Sequence, residues 1–537
     1  MCRKFGKVLC SGPTNVSVDN LASRVDQVTT RVVERFNKGK QPEDPTRVKY
    51  NVVLRGFKAS DEAQAFVNLL RNPHDRDNAV PHRSWKATSK WTFPLSGAFW
   101  LLALFRAEVA GVRQLRPDDS PALFALQKSV DEQQDFAGLR DLATGKTSWE
   151  EYSKGKMVSS NALEKLLNVL VSKADVLCTT PGMTENHEAC RKWKMTVARA
   201  VVVDEAACIH RADLYCVWGN TLLPCVLGGD PRQLRPVVMT AQEEDAEGNL
   251  LHRLVDDGKI SPLEALQASG IPVYRLLTQL RMAEGMYDWL AELIYSDVPF
   301  EYATSCRIDQ PQFSLGLALE AYVQAKHPEV KPAPKDKLLP VFLHCEGSRV
   351  FVDELTKSKR SPDQVKIALD FAVDFVKTKQ ADPARLVLIA PYAANVDLIG
   401  RMRKRPDYSA IATMQPASTV DSFQGQEGDI AIVVMGTAYP RPGPGFTSDE
   451  NRLTVLLSRQ KCGIVVVGDI NVTGPFEEEE DGKGKGKGKA PAQERFMVEG
   501  ANGETYWTKA TVMRNLYTKW YKLGRVIRVN VPPKAAS

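Results

Sequence analysis

The sequence predicts an α/β protein of two lobes, each built on a parallel sheet covered by helices on both faces. Three observations carry this. Short β-branched strands alternate with helices in two series, one before about residue 270 and one after it. Carboxylates and guanidiniums cluster at the ends of those strands, where parallel sheets place their ligands. The composition is that of an ordinary globular chain, with 537 residues, 43% hydrophobic and 25% charged. At roughly 150 residues per domain, about three to four units fit. Whole-length disorder, collagen-like and disulfide-scaffold classes are excluded. The ten cysteines form no CxxC pair and the seven histidines are scattered, so zinc-ligand spacing is absent. The cysteines read as free thiols in a reducing compartment.

The first series opens with a strand at Lys7 to Cys10, a turn through Ser11-Gly12-Pro13-Thr14-Asn15, and a helix from about Val18 to Phe36. Leu21, Val25, Val28 and Val32 recur along that helix at three- and four-residue steps. Residues 41–160 are polar and interrupted and read as a helical insertion. Within them Trp91 to Phe105 is apolar for 15 residues. That is short of the about 20 a membrane span needs, so it reads as a core helix preceded by a turn. A helix from Asn161 to Ser172 follows, then strands at Asp175 to Cys178, Ala200 to Val203 and Cys225 to Gly228.

The second series has strands at Val273 to Leu276, Val341 to Leu343, Leu386 to Ile389, Ile430 to Met435 and Ile464 to Val467, with a helix at Pro362 to Lys377. The lobes are therefore 1–270, containing the insertion, and 271–475. Residues 476–494 form a low-complexity linker. Residues 495–537 carry eight Lys/Arg against two Glu and read as a basic helical tail, either a phosphate contact or a solvated face. No signal peptide or membrane span is read, which leaves cytoplasm or nucleus. The basic runs Lys357–Arg360 and Arg401–Arg405 read as exposed charge in preference to nuclear signals.

The chemistry sits at the strand ends. Val201-Val202-Val203 runs into Asp204-Glu205, an acid pair that repels itself unless a cation is present. Mg²⁺ on the first carboxylate, with the second deprotonating a water, suits nucleotide hydrolysis. Asp230-Pro231-Arg232-Gln233-Leu234 follows the next strand, and the Gln233 amide can sense a γ-phosphate. In the second lobe come Gln279-Leu280-Arg281-Met282, the run Thr419 to Glu427, and Arg452 with Arg459. The last two are two helical turns apart, so one face presents both. Guanidiniums brought to a phosphate are arginine fingers.

These runs resemble superfamily 1 helicases of the branch that contains the eukaryotic nonsense-mediated-decay RNA helicase. GPTNVSVDNL is similar to the family's motif Ia, ADVLCTTPG to Ic, VVVDEA to II and GDPRQLRPV to III. QLRM is similar to motif IV, VDSFQGQEGD to V and RLTVLLSRQ to VI. The resemblance covers about 1–40 and 161–470. It implies two RecA-like parallel-sheet lobes, the first truncated, that couple ATP hydrolysis to 5′-to-3′ movement on single-stranded RNA or DNA. Position by position, Asp204 would hold Mg²⁺ and Glu205 activate water. Gln233 would sense the γ-phosphate, and Arg281 and Arg459 would stabilise its charge. Glu427 would reach the ribose, with Gln279, Gly425 and Arg452 also on the ATP side. Nucleic acid would touch Pro13, Thr14, Asn15, Thr179 and Thr180 in one lobe, and Pro391, Tyr392 and Thr419 in the other, without base readout. The residues themselves also allow Tyr392 as a packed core tyrosine and Thr179 and Thr180 as turn caps.

The pattern breaks in one place. The family's P-loop, G-x-x-x-x-G-K-[ST], is absent. Gly145-Lys146-Thr147 has Arg140 where the first glycine belongs, and GKGKGKGK lacks the hydroxyl and the strand. Weak ATP binding is therefore expected. A central strand of the first sheet is also expected to be missing, leaving its neighbours unpaired and apolar surface open, as if the chain started at an internal methionine. Leu280 stands where relatives often place an aromatic, and a zinc-rich amino-terminal module is lacking. An inactive nucleic-acid clamp or scaffold is the alternative function.

Overall fold

The computed structural model describes residues 2–80, 91–219, 221–238, 245, 247–249, 251–354, 356, 358–423, 425–476, 495–499 and 505–531. The linker at 477–494, with its GKGKGKGK run, and residues Lys357 and Gln424 lie outside them. The chain divides into two compact units. One comprises 1–231, 235–237 and 256–270, the other 232–234, 238–255 and 271–537. Both are parallel-sheet α/β units, the fold class the sequence predicts. Among the described residues no helix is long and apolar enough to cross a membrane.

The first unit contains β1 (Val8–Ser11), α1 (Asn15–Asn37), β2 (Val53–Arg55), α2 (Ala59–Arg71), α3 (Gly97–Leu104), α4 (Ser160–Lys173), β3 (Val176–Cys178), β4 (Ala200–Val203) and β5 (Cys225–Leu227). Its five-stranded sheet has the order β2-β3-β1-β4-β5, parallel throughout. Strand alternation sorts the two faces. Val8 and Cys10 face Val18 and Ala22 of α1, while Leu9, Leu54, Leu177, Val201 and Val203 join the larger cluster on the other side.

That larger cluster is built mostly from 41–160. The segment is therefore more than an insertion: it supplies the edge strand β2 and most of the covering layer, including Phe66, Trp91, Trp100 and Phe105. Its polar surface hid this, because the apolar residues converge from short, separated helices. α3 is buried along its entire length. Its first amides, of Gly97 and Ala98, donate to the carboxylate of Glu62, which also accepts from Trp91 Nε1. Burial pushes that carboxyl up to about 7 against those three donors.

β5 is an edge strand. Cys225 and Leu227 are half-buried and Val226 is 44% exposed. A second apolar run lies open in the other unit. The strand expected at Val273 to Leu276 is not formed. The backbone has no regular structure from 271 to 277, and Tyr274 and Leu276 are 89% and 77% exposed. An apolar run without a ladder partner does not settle as a strand, because its amides are better left to water.

The second unit contains β6 (Thr278–Gln279), β7 (Glu301–Tyr302), α5 (Ser314–Lys326), β8 (Val341–Glu346), β9 (Phe351–Val352), β10 (Lys359–Arg360), α6 (Pro362–Lys379), β11 (Leu386–Ala390), α7 (Ala393–Arg403), β12 (Ser418–Thr419), β13 (Gly428–Val434), α8 (Glu450–Leu456) and β14 (Gln460–Gly468). β15 (Arg495–Glu499), β16 (Thr505–Lys509), α9 (Thr511–Lys522) and β17 (Val526–Asn530) complete it. Its six-stranded sheet runs β12-β11-β13-β14-β8-β17, parallel throughout. β13 and β14 are buried on both faces, which is why they read as unbroken apolar runs.

The segment read as a basic tail is a structural part of this unit. β17 pairs with β8, and Tyr517 and Trp520 of α9 pack on Phe342 and Trp289. Arg525, fully buried, forks onto both oxygens of Glu320 at 3.0 and 2.6 Å and donates to the carbonyls of Lys331 and Pro340. The positive charge that suggested a phosphate contact is, at this residue, spent inside the fold.

Candidate functional site

In the first unit the acid pair leaves β4 directly. Asp204 N–H donates to the Ser11 carbonyl at the end of β1, which fixes the turn against the central strand. Its Oδ1 accepts from the Glu205 amide at 3.0 Å. Burial raises the Asp204 carboxyl above its usual range, the cost a bound cation would relieve. Glu205 adopts φ +52, a left-handed conformation that is costly for a residue with a Cβ and typical of functional turns.

The run after β5 closes over this turn. Gly228 N–H donates to the Val203 carbonyl, and the Ala206 N–H donates back to Gly228, both at 2.8 Å. A Cβ on Gly229 would lie 2.8 and 2.9 Å from the Ala207 and Ala206 amide nitrogens, so glycine is required by the approach. Among the described residues no group of three or more acidic, histidine or cysteine side chains could hold a metal. The donor set at Asp204 is thus one carboxylate with a second beside it. That fits Mg²⁺, which takes one or two carboxylates and completes its shell with water and phosphate.

The boundary between units passes through the next motif: Asp230 belongs to the first and Gln233 to the second. In the second unit four predicted residues converge around Ser458. Arg459, almost fully buried, donates from Nε to the Val455 carbonyl at 2.9 Å, and from Nη2 to Ser458 Oγ at 2.8 Å and Gln233 Oε1 at 3.3 Å. Arg281 donates from Nη2 to the Ser458 carbonyl at 2.7 Å and stands 3.8 Å from Glu427. Burial lowers the Arg281 guanidinium pKa, with Glu427 opposing. Glu427 is itself paired with Lys461 at 2.9 Å, a partner the sequence did not suggest.

Two further residues shape the turns. Gln279 Oε1 accepts from the Arg281 and Met282 amides, and Gly425 turns at φ +73. Arg452 stands apart from this group. Its guanidinium lies 5.1 Å from the Phe446 ring and 4.0 Å from Asp421. Gly145-Lys146-Thr147 follows a helix, Ala137–Ala143, with no strand leading in.

The residues predicted to meet nucleic acid divide by accessibility. Thr14 is exposed and caps α1 in a capping box with Ser17. Pro13 and Asn15 are half-buried, and Asn15 Oδ1 accepts from Arg55 Nη2 at 2.9 Å. Thr179 is buried, its hydroxyl donated to the Gly56 carbonyl, so here it ties β3 to the end of β2. Thr180 sits half-buried at the N-cap of the short helix Pro181–Asn186. In the second unit Pro391 is buried and Tyr392 is 4% exposed, edge-on to Phe446 at 4.4 Å. Thr419 is half-buried against Ser422.

Two family models, both described as "AAA domain", match this chain, one over residues 2–241 and the other over 259–471. Mouse DNA-binding protein SMUBP-2 is 21% identical over 469 residues, covering 86% of this chain and 38% of that protein. The Drosophila melanogaster regulator of nonsense transcripts 1 homolog is 26% identical over 368 residues, covering 66% and 28%. An uncharacterized ATP-dependent helicase of Methanocaldococcus jannaschii is 26% identical over 319 residues, covering 58% and 41%. The chain belongs to the superfamily 1 helicases, in the branch of the nonsense-mediated-decay helicase. It spans less than half the length of each of these relatives. Among solved structures an arterivirus nonstructural protein 10 (helicase) matches at 13% identity, covering 55% of this chain and 42% of that one, with a TM-score of 0.21.

In this helicase-family chain, motif reading missed Arg55. It is buried at the end of β2, donates to Asp19 and Asn15, and lies 4.0 Å under the Phe57 ring. No local signal marks it, since β2 itself is recognisable only from its place in the sheet. Lys461 was missed although it directly follows the motif VI run.

Proposed function

We propose that the chain is an ATP-dependent translocase or helicase acting on single-stranded RNA or DNA. The observation that carries this is the arrangement around Ser458. Arg281, Arg459, Gln233 and Glu427 are held by backbone and side-chain partners in one place in the second unit. Guanidiniums oriented in advance stabilise phosphoryl charge without reorganising during the reaction. Such a set has no evident structural purpose, because a core of this kind is cheaper to build from apolar residues.

Toward ATP, Asp204 would hold Mg²⁺, which neutralises phosphate charge when bound. Glu205 would take the proton of the attacking water, and its left-handed backbone fixes where the carboxylate starts from. Gln233 is hydrogen-bonded to Arg459, so a change felt by one is passed to the other. Pro13, Thr14, Asn15, Thr180 and Thr419 remain the contacts proposed for the strand.

The absence of G-x-x-x-x-G-K-[ST] from the sequence favours a second reading, a clamp that binds a strand without turnover. ATP hydrolysis measured with and without single-stranded RNA and DNA separates the two. Strand-stimulated turnover that falls roughly 10²- to 10⁴-fold in Glu205→Gln supports the motor. Salt-sensitive strand binding with no turnover in either protein supports the clamp.

A further inference from the structure

Tyr392, the aromatic expected to meet nucleic acid in the second unit, is buried beneath Phe446. The rim at the carboxyl ends of this sheet nevertheless exposes two other rings, one with an arginine opposite it across a ribbon and one with an arginine two residues on. The first pair lies on the ribbon β9–β10. Phe351 and Arg360 are direct cross-strand partners, so both side chains stand on one face of the ribbon. Both are exposed, Phe351 by 46%. Lys359, one position earlier, belongs to the opposite face and is buried.

The second pair lies on the loop that follows β13. The Gly443 N–H donates to the Ala438 carbonyl at 3.0 Å and closes this loop, and the Tyr439 N–H donates to Asp469 Oδ2 at 2.7 Å. Tyr439 is 43% exposed, and Arg441 is exposed. Pro440 and Pro442 flank Arg441. Each fixes its own φ and removes an amide donor, so the loop is stiff before anything binds. Lys359 Nζ reaches the Pro442 carbonyl at 3.5 Å and joins ribbon to loop. The two pairs therefore sit on one connected support.

What sets these four side chains apart is that no described residue pairs with them from elsewhere in the fold. Arg349, which leads into the ribbon, is by contrast committed to Asp363. Arg360 and Arg441 have no ion-pair partner among the described residues, and the Phe351 and Tyr439 rings have no ring partner there. Glu354, at the ribbon's tip, is exposed and opposes an anion, which confines any anionic ligand to the Arg360–Phe351 end.

We propose that Phe351, Arg360, Tyr439 and Arg441 form a platform for single-stranded nucleic acid, the two rings stacking on bases and the two guanidiniums meeting phosphates. An acidic peptide would satisfy the arginines but leave the rings idle. A duplex would hide the base faces that rings need. Ring–base stacking is tolerant of sequence, in keeping with a protein that holds a strand without reading it. This inference rests on the strand-binding reading above and adds to it a contact with bases.

The test uses the full chain and a fluorescent single-stranded oligonucleotide, paired with one of equal length whose residues are abasic. The Phe351→Ala/Tyr439→Ala double variant should bind the ordinary strand about 5- to 150-fold more weakly for each ring removed. Its affinity for the abasic strand should be unchanged. Tyr439→Phe should bind as the wild type does, because stacking needs the ring and not the hydroxyl. Arg360→Ala/Arg441→Ala should weaken both strands and flatten the salt dependence, by about 0.7 in slope for each phosphate no longer neutralised. Equal binding of the ordinary strand by wild type and the double ring variant overturns the platform and leaves strand binding elsewhere intact. Equal losses on ordinary and abasic strands overturn it too, because stacking would then contribute nothing. A ring-independent preference for an acidic peptide would reassign the surface to a protein partner. A wild-type chain that binds no strand at all would sink the strand-binding reading, and this inference with it.

Discussion

The edge of the first sheet and the centre of the second are made of similar residues in different circumstances. Cys225-Val226-Leu227 and Ile464 to Val467 are both short apolar strands in parallel sheets. The first has a neighbour on one side only and is partly exposed. The second lies between β13 and β8 and is buried throughout. The candidate chemistry follows the same division. The carboxylates of the first unit stand next to an open edge, whereas the guanidiniums of the second are locked by several partners each. A motif can thus be present as residues while its setting is only half-built.

The largest effect that would sharpen this contrast is expected at Arg525. Its guanidinium is buried against Glu320, and removing it leaves that carboxylate charged and without its cation, held only by the Ala333 amide and Gln324. Arg525→Ala should destabilise the second unit by about 3–5 kcal/mol, read from denaturant unfolding. It should also loosen β17 from β8, visible as faster amide exchange in β17. A loss under about 1 kcal/mol would mean that the ion pair does not hold this edge.

Next comes Gly229→Ala. The new methyl would press on the Ala206 and Ala207 amides, for which the backbone must move. A destabilisation of about 1–3 kcal/mol is expected. Strand-stimulated ATP hydrolysis should fall further than the stability loss accounts for, because the turn carrying Asp204 and Glu205 is what moves.

These two sites also show what could be read in advance. β4, β13 and β14 were legible because strands buried on both faces are uniformly apolar. β2 and β17 were not, since a three- or five-residue strand is defined by the neighbour it pairs with. Val273 to Leu276 was over-read for the converse reason: its residues suit a strand, but no strand among the described residues pairs with it. At the candidate site, the ordered motifs identified the residues gathered around Ser458. Whether Thr179 and Tyr392 face solvent could not be read, because that depends on Gly56 and Phe446, distant in sequence. Phe351 and Tyr439 belong to no motif and emerged only from exposure.

Glu62 gives a pH-dependent comparison. Its carboxyl is raised in the folded protein to about 7, from 4.5. The folded state therefore holds a proton that the unfolded state gives up, and stability should fall as pH rises through that window. The decline should level off above it. Glu62→Gln removes the titration but places an amide among three N–H donors, one of which must go unmet, at a cost of about 1–3 kcal/mol. Its unfolding free energy should be lower at acidic pH and flatter between about 4.5 and 7 than that of the wild type. A wild-type profile already flat across this range would show that the three donors outweigh burial.

The smallest effect is expected at the open edge itself. Val226 is a strand residue by sequence and sheet register, yet it buries little. Val226→Ala should cost less than about 0.5 kcal/mol, against about 2 kcal/mol or more for the fully buried Val465→Ala in the middle of the second sheet, where two buried carbons and a cavity are at stake. Val226→Lys should be equally well tolerated, because a lysine on an edge strand can keep its charge in water. If Val226→Lys instead cost several kcal/mol, β5 would be covered in solution, by a second copy or another segment. Unfolding measured across a range of protein concentrations would then distinguish those two.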